Sequence, residues 1–290
     1  MLHDVDEIFF SGAGFDILGH IAVVRQIEHA LMIDELVHLD RSSSAFKSMW
    51  GSSAGSMVAS AACLGMSSLE MTQLQRCITN IADVTDMDLG QLIERGGLDN
   101  MDKLRTVMIK NVQCNASILI GIDEITLLDL FIICGVQLNI FYTRVDATCG
   151  HFNYLTHPHA RLIDCISASC ALPFIFTPQP VFGDYYMDGD LLLHMRQCFD
   201  KVDRDCVVWS MCHRECKCAA AISIDQFSIV DFMQKIVLSH GYQHSLVRNA
   251  KVIRINLCSA SPISPPDMRQ LQDYSRQARQ QISILAAVHE

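Results

Sequence analysis

The pentapeptide Gly51-Ser52-Ser53-Ala54-Gly55 constrains the fold of this chain more than any other stretch. Phe46-Lys47-Ser48-Met49-Trp50 precedes it as an apolar strand candidate. Ser56-Met57-Val58-Ala59-Ser60-Ala61-Ala62-Cys63-Leu64 follows it as an Ala-rich helix candidate. Gly-x-Ser-x-Gly between a strand and a helix is the pattern of a nucleophile elbow, a strained turn that lifts its serine above a sheet. Gly51 and Gly55 let neighbouring backbone approach where a Cβ would collide. The Ser53 hydroxyl then projects near a helix N-terminus, whose N–H groups and dipole favour developing negative charge. A Ser/Gly-rich turn fits the same five letters, so the flanking elements carry the catalytic reading.

Two further segments bear on it. Glu7-Ile8-Phe9-Phe10 reads as a buried strand running into Ser11-Gly12-Ala13-Gly14, followed by a helix with apolar residues at Ile21, Val24, Ile27 and Leu31. A strand, a glycine turn and a helix make an anion site, because successive N–H groups point into one concavity. A dinucleotide fingerprint would need glycine at Ile17, and no Gly-Lys-Ser/Thr follows. Far downstream, Tyr185-Tyr186-Met187-Asp188-Gly189-Asp190 puts a carboxylate on a glycine turn after a short aromatic strand. Asp-Gly is also a common hairpin turn.

Together these pieces resemble the patatin-like phospholipase family. Ser11 to Glu28 resembles its oxyanion-hole strand, loop and helix, and Gly51 to Gly55 its nucleophile elbow. Ser167-Ala168-Ser169-Cys170-Ala171-Leu172-Pro173-Phe174 is similar to the family's Ala-Ser-x-Ala-x-Pro-x-Phe segment. That segment leads to its Asp-Gly-Gly/Ala motif, present here as Asp188-Gly189-Asp190. Thr126 to Leu130 and Leu138 to Gly150 follow the family's helix-then-strand pattern. The likeness covers about residues 7–195 in consistent order.

The resemblance implies a three-layer α/β/α sandwich with a mostly parallel sheet, and a Ser–Asp dyad that hydrolyses acyl esters of lipids. Ser53 would be the nucleophile and Asp188 its base, with oxyanion N–H groups from Gly12, Ala13 and Gly14 and motif support from Gly189. A serine hydroxyl needs a base to take its proton during attack. A carboxylate is a weak one, so much of the work falls on oxyanion donors, each contributing about 2.7–4 kcal/mol. The chain departs from the family here. Asp16 and Ile17 stand where the family has a basic residue and glycine, Ala13 takes the middle glycine position, and Asp190 replaces the usual Gly/Ala. A carboxylate near an anion site opposes its chemistry.

The 290 residues, half of them hydrophobic, suffice for one α/β domain with strands and helices after residue 200 in the same unit. A net charge of −10 without a Lys/Arg cluster argues against nucleic-acid partners and polybasic membrane attachment. The acidic start Met1-Leu2-His3-Asp4-Val5-Asp6 lacks a signal-peptide core, so the 13 cysteines read as reduced thiols of a cytoplasmic protein. Ser48 to Leu69 carries no charge and is long enough to span a bilayer. Its many serines and the elbow make it a buried strand, turn and helix instead. The expected partner is a lipid or acyl ester, with transient membrane-surface contact and no membrane span; no cofactor or metal is implied.

Strand and helix candidates alternate, as a mostly parallel sheet requires. Ser67-Ser68-Leu69-Glu70 predicts a capping box opening a helix toward Ile81. Helices are also predicted over Asn100 to Val112 and, capped by Thr126, through Cys134, which makes residues 66–135 a helical insertion. Met66, Met71, Met101 and Met108 read as core filler within it. Strands are predicted at Cys206 to Trp209 and Lys251 to Leu257, helices at Ile229 to Leu238 and Met268 to Ala287, and a loop at Ser259 to Pro266. His151, His157 and His159 are placed on a solvated loop. Cys212-His213-Arg214-Glu215-Cys216-Lys217-Cys218 has zinc-ligand chemistry, but structural zinc joins two separated ligand pairs. Two other function classes stay open. One is an α/β-hydrolase triad with His194, His240 or His244 as third member. The other is a catalytically weak or inactive patatin-like protein that binds lipid or another partner.

Overall fold

The fold is built around a mixed, mostly parallel sheet, and the computed structural model describes residues 5–37, 39, 44–76, 84–115, 121–191, 207–214, 251–257 and 268–287. The strands are β1 (Glu7–Phe10), β2 (Ser48–Gly51), β3 (Gly97–Asp99), β4 (Gln137–Arg144) and β5 (Cys149–Phe152). After them come β6 (Phe174–Phe176), β7 (Gln179–Val181), β8 (Asp184–Met187), β9 (Val207–Arg214) and β10 (Lys251–Leu257). Eight of these described strands form one sheet in the order β10-β9-β1-β2-β4-β8-β7, with β5 also on β4. The pairs from β10 to β4 are all parallel, whereas β4, β5, β7 and β8 pair antiparallel. An α/β fold is thus what the residues build, and β9 and β10 extend the sheet that β1 belongs to.

The parallel strands read as apolar runs because both faces are covered. Phe9, Trp50 and Phe141 from β1, β2 and β4 stack across neighbouring strands, with ring centroids 4.9 Å apart for the first pair and 5.6 Å for the second. Helix α1 (Leu18–Leu31) buries Ile21, Val24 and Ile27 of the four residues its period predicts, leaves Leu31 half-buried, and packs on β9 and β10. The long C-terminal helix (Met268–Ala287) buries Tyr274, Ala278 and Ile282, spaced four apart, against α1 and β10. Helix α2 (Ala54–Cys63) is almost wholly buried, so the uncharged stretch from Ser48 onward is core. No described helix is long and apolar enough to cross a membrane.

The insertion after α2 contains α3 (Ser68–Arg76), α4 (Leu89–Arg95), α5 (Asp102–Asn115) and α6 (Leu127–Cys134). The predicted capping box is present: Ser67 donates to Glu70 Oε2 from its N–H and its hydroxyl, both at 2.8 Å, and Glu70 N–H returns to Ser67 Oγ at 3.4 Å. Thr126 and Asp129 form a second box that opens α6. Met66, Met71, Met101 and Met108 are all buried. The insertion is not purely helical, because β3 interrupts it and pairs in parallel with β6. A three-residue strand is too short to show a period, which is why the sequence conceals it.

The histidine loop also needs correcting. His151 lies within β5, its ring edge-on to Trp50 at 5.1 Å, and His157 packs edge-on to Phe152 at 5.0 Å. The antiparallel return of β5 along β4 brings His151 onto the sheet, whereas His157 stays on the following loop, half-buried, and His159 is exposed there. Cys212, His213 and Arg214 end β9, while residues 215–218, the helix predicted at Ile229 to Leu238 and the loop at Ser259 to Pro266 lie outside the described residues. Among the described residues no group of three or more His, Cys, Asp or Glu is placed to hold a metal.

If the cross-strand stack holds the centre of the sheet together, Trp50→Ala should lower unfolding stability by about 3–5 kcal/mol in urea denaturation. A loss under about 1 kcal/mol would show that the stack is dispensable.

Candidate active site

The site forms where β1 and β2 end side by side. Pairing continues past β2, since Ser52 N–H donates to Phe10 O at 3.1 Å, and α2 then begins at once. Between strand and helix, Ser53 has φ +50° and ψ −128°, a conformation that is unfavourable for any residue with a Cβ. Its neighbours make the strain possible. A Cβ on Gly55 would stand 2.2 Å from Phe10 O, and one on Gly51 would stand 2.5 Å from Ser56 Cα. Both flanking glycines are therefore demanded by the close approach of α2 to the strand ends. Ser56 Oγ ties the turn down by donating to Ser53 O at 2.6 Å.

The glycine turn lies against the elbow. Ser11, Gly12 and Ala13 are buried, and Gly14 at φ +56° opens a single 3-10 turn, Gly14–Ile17, that leads into α1. His20, fully buried on α1, donates from Nε2 to Ser11 O at 2.7 Å. Burial lowers its pKa to about 4, so at neutral pH the ring is uncharged and braces the turn. Nothing in the motif strings points to this histidine; only its distance of about one buried helical turn from the glycines could have suggested it. Asp16 lies in the 3-10 turn, and its side chain is outside the described residues.

Asp188 arrives from another direction. Strand β8 pairs with Thr143 and Arg144 of β4, on the edge opposite β5 and beyond the point where β2 stops. The following turn is thereby set above the elbow, and Gly189 sits against Phe141 O, where a Cβ would be 2.3 Å away. Helix α7 (Leu162–Cys170) fixes both partners with its C-terminal end. Ser169 Oγ accepts from Ser53 N–H at 3.0 Å, Ser169 O from Gly189 N–H at 3.2 Å, and Ala171 O from Asp188 N–H at 2.9 Å. The structure thus brings together Ser53, Asp188 and the Gly12–Gly14 turn, and adds Ser169, whose place in the Ala-Ser-x-Ala-x-Pro segment was the available signal. His194, His240 and His244 lie outside the described residues.

The electrostatics are unusual because two carboxyls share the site. Asp188 is 2% exposed, and its pKa is raised to about 7, first by burial and then by the charge of Asp190. Hydrogen bonds from the Asp190 N–H, 2.8 Å from Asp188 Oδ1, and from the Ser53 hydroxyl oppose that rise. Asp190 is raised to about 6 by burial, against a hydrogen bond from the Gly12 N–H. The buried Ser52 hydroxyl, short of a fully formed hydrogen bond, leans on the same carboxyl. The Cys170 thiol beside them is pushed well up by burial and by Asp188.

The comparisons with known proteins agree with this fold. The family model for patatin-like phospholipase matches residues 8–193. The chain belongs to the patatin-like phospholipase family. No curated protein sequence matches it significantly. Among solved structures it is similar to VipD from Legionella pneumophila, with a TM-score of 0.61 at 14% identity, covering 99% of this chain and 67% of that one. ExoU from the Pseudomonas aeruginosa type III secretion system, in complex with SpcU, gives a TM-score of 0.52 at 14% identity over 97% of this chain. The chain spans about half of ExoU, 52% of its length. At such identities these likenesses establish the fold, while the family is one of lipid acyl hydrolases.

A pH dependence of stability follows from the two raised carboxyls. Both rise from an ordinary 3.8, so between about 4 and 7 the folded chain holds protons that the unfolded chain has released. Their contribution to stability is therefore fully present below the unfolded value and lost as pH rises through about 7, by at most about 4 kcal/mol for Asp188. Urea denaturation at pH 5 and pH 8 should show a smaller loss for Asp190→Asn than for wild type. An equal loss would mean that Asp190 does not share the burial.

Proposed function

We propose that the chain is a serine lipid acyl hydrolase of the phospholipase or esterase kind. Ser53 is the nucleophile, Asp188 its base, and the Gly12–Gly14 turn the oxyanion site. The observation that carries this reading is Ser53 at a strained strand-to-helix turn with its hydroxyl facing the buried Asp188 carboxyl. Ser53 Oγ attacks the ester carbonyl carbon, its proton passes to Asp188, and the carbonyl electrons move onto the oxygen facing the glycine turn. Collapse of that intermediate expels the alcohol, which takes the proton back from Asp188, and leaves an acyl-serine. Water then repeats the sequence and releases the acid.

Other features favour a lipid substrate. A small apolar crevice lined by Met57, Leu64, Met108, Val112 and Ile163 lies between α2, α5 and α7, with Met57 one turn after Ser53; it would have to widen to take an acyl chain. Helix α4 buries none of its residues and turns Leu89 and Ile93 to solvent at 72% and 88% exposure, which suits brief contact with a membrane surface. The free thiols of Cys63, Cys134, Cys149, Cys165 and Cys170 suit a reducing, cytoplasmic setting.

A fluorophosphonate probe should label wild-type protein with the adduct on Ser53, read by mass spectrometry, and leave Ser53→Ala unlabelled. Asp188→Asn should lower esterase turnover by about 10²–10⁴-fold, while alanine at His194, His240 or His244 should leave most activity. A folded wild type that stays unlabelled would sink the reading and favour a non-catalytic, lipid-binding protein. A single histidine change that abolishes turnover without loss of fold would move the assignment to a triad.

A further inference from the structure

The third residue of the Asp-Gly-Asp turn occupies an unexpected place. Asp190 Oδ2 lies 2.4 Å from where a Cβ on Gly12 would stand, so the carboxylate rests directly on the glycine turn. Its carboxyl faces the Gly12 N–H, and the Ser52 side chain leans on it from the elbow. Its own N–H holds Asp188 Oδ1 at 2.8 Å, which fixes the backbone from which its side chain springs. A carboxylate oxygen on a backbone N–H has the charge and shape of the oxyanion that an ester would develop there. Given the assignment of Ser53 and Asp188 above, on which this inference rests, we propose that Asp190 is a built-in occupant of the oxyanion site. The resting chain holds its own carboxylate on the Gly12 N–H that a substrate carbonyl oxygen must take. Acyl transfer proceeds only when that side chain is withdrawn or neutralised.

The surroundings make this occupancy displaceable. The groups facing the Asp190 carboxyl are Asp188 on its own turn, the Gly12 N–H before α1 and the Ser52 hydroxyl before α2. Behind the glycine turn stands His20, held neutral. Among these described groups none supplies a positive charge, so the ion is held by dipoles alone and repelled by Asp188. Burial already raises the Asp190 pKa to about 6, which shows how shallow the hold on the charged form is. The residue keeps part of its surface in contact with solvent, although the carboxyl end is enclosed, and so it has an exit. A small residue at this position, as in the family's Gly/Ala, would leave the N–H open. The substitution therefore does more than add a charge near the site: it places a competitor within it.

Two measurements test this and separate its failure from failure of the nucleophile assignment. The first is fluorophosphonate labelling at pH 8, where Asp188 is ionised with or without Asp190, so that the rate reports access to the oxyanion site. Asp190→Ala and Asp190→Gly, melting no lower than wild type, should label Ser53 about tenfold faster or more. Labelling at the wild-type rate or slower overturns the proposal. The second is the amide resonance of Gly12 in Ser53→Ala protein, which needs no chemistry. It should titrate with a midpoint near 6 and cease to do so in Ser53→Ala/Asp190→Asn. A Gly12 amide indifferent to pH and to the second substitution also overturns the proposal. If no protein labels, the nucleophile assignment fails, and the Gly12 titration alone decides whether Asp190 sits on the turn.

Discussion

The site depends on how closely one helix approaches two carbonyls. The Gly55 Cα packs so tightly on Phe10 O and Ser11 O that no side-chain carbon fits between them. This contact sets the start of α2 against the end of β1, and so sets Ser53 beside the Gly12–Gly14 turn. Parallel pairing of β1 with β2 brings the two strand ends level, and the aromatic stack of Phe9, Trp50 and Phe141 keeps them so. The strain at Ser53 is the result: a serine forced to positive φ by backbone packed on both sides. Larger residues at Gly51 or Gly55 would separate strand and helix, and Ser53 and the Gly12–Gly14 turn with them.

Electrostatics oppose this packing. A wholly buried carboxyl is an expensive group, and a second one beside it raises the cost. The chain tolerates the pair because N–H groups and hydroxyls face it and because each carboxyl can hold its proton near neutral pH. That arrangement suits a group that must accept a proton and return it within one turnover, since a base works best when its pKa lies near the working pH. The same feature ties stability to pH, so the groups suited to chemistry also limit the fold.

Much of this was legible in the sequence, for physical reasons that differ by element. The elbow can be read because its glycines, its strand and its apolar helix are contiguous, and each is constrained by local sterics. The α6 cap at Thr126 and Asp129 and the stripe of Tyr274, Ala278 and Ile282 are equally local. Other features depend on contacts between distant segments and stay hidden. The brace from His20 to Ser11, the grip of Ser169 on the Ser53 N–H and the seat of Asp190 on Gly12 each need the tertiary structure. The short strands β3 and β5 have too few residues to show alternation, which is why His151 reads as loop while it packs on Trp50. At Asp190 the sequence showed the change of residue but not its position within the site.

The end of α7 has one more consequence. It holds the N–H of Ser53 and the N–H groups of Asp188 and Gly189 through three bonds within three consecutive residues. Residues 53 and 188, far apart along the chain, are thus both tied to one helix end, in addition to the strands that carry them. A substitution that swells the apolar packing α7 shares with α2 and α5 would therefore disturb both residues at once.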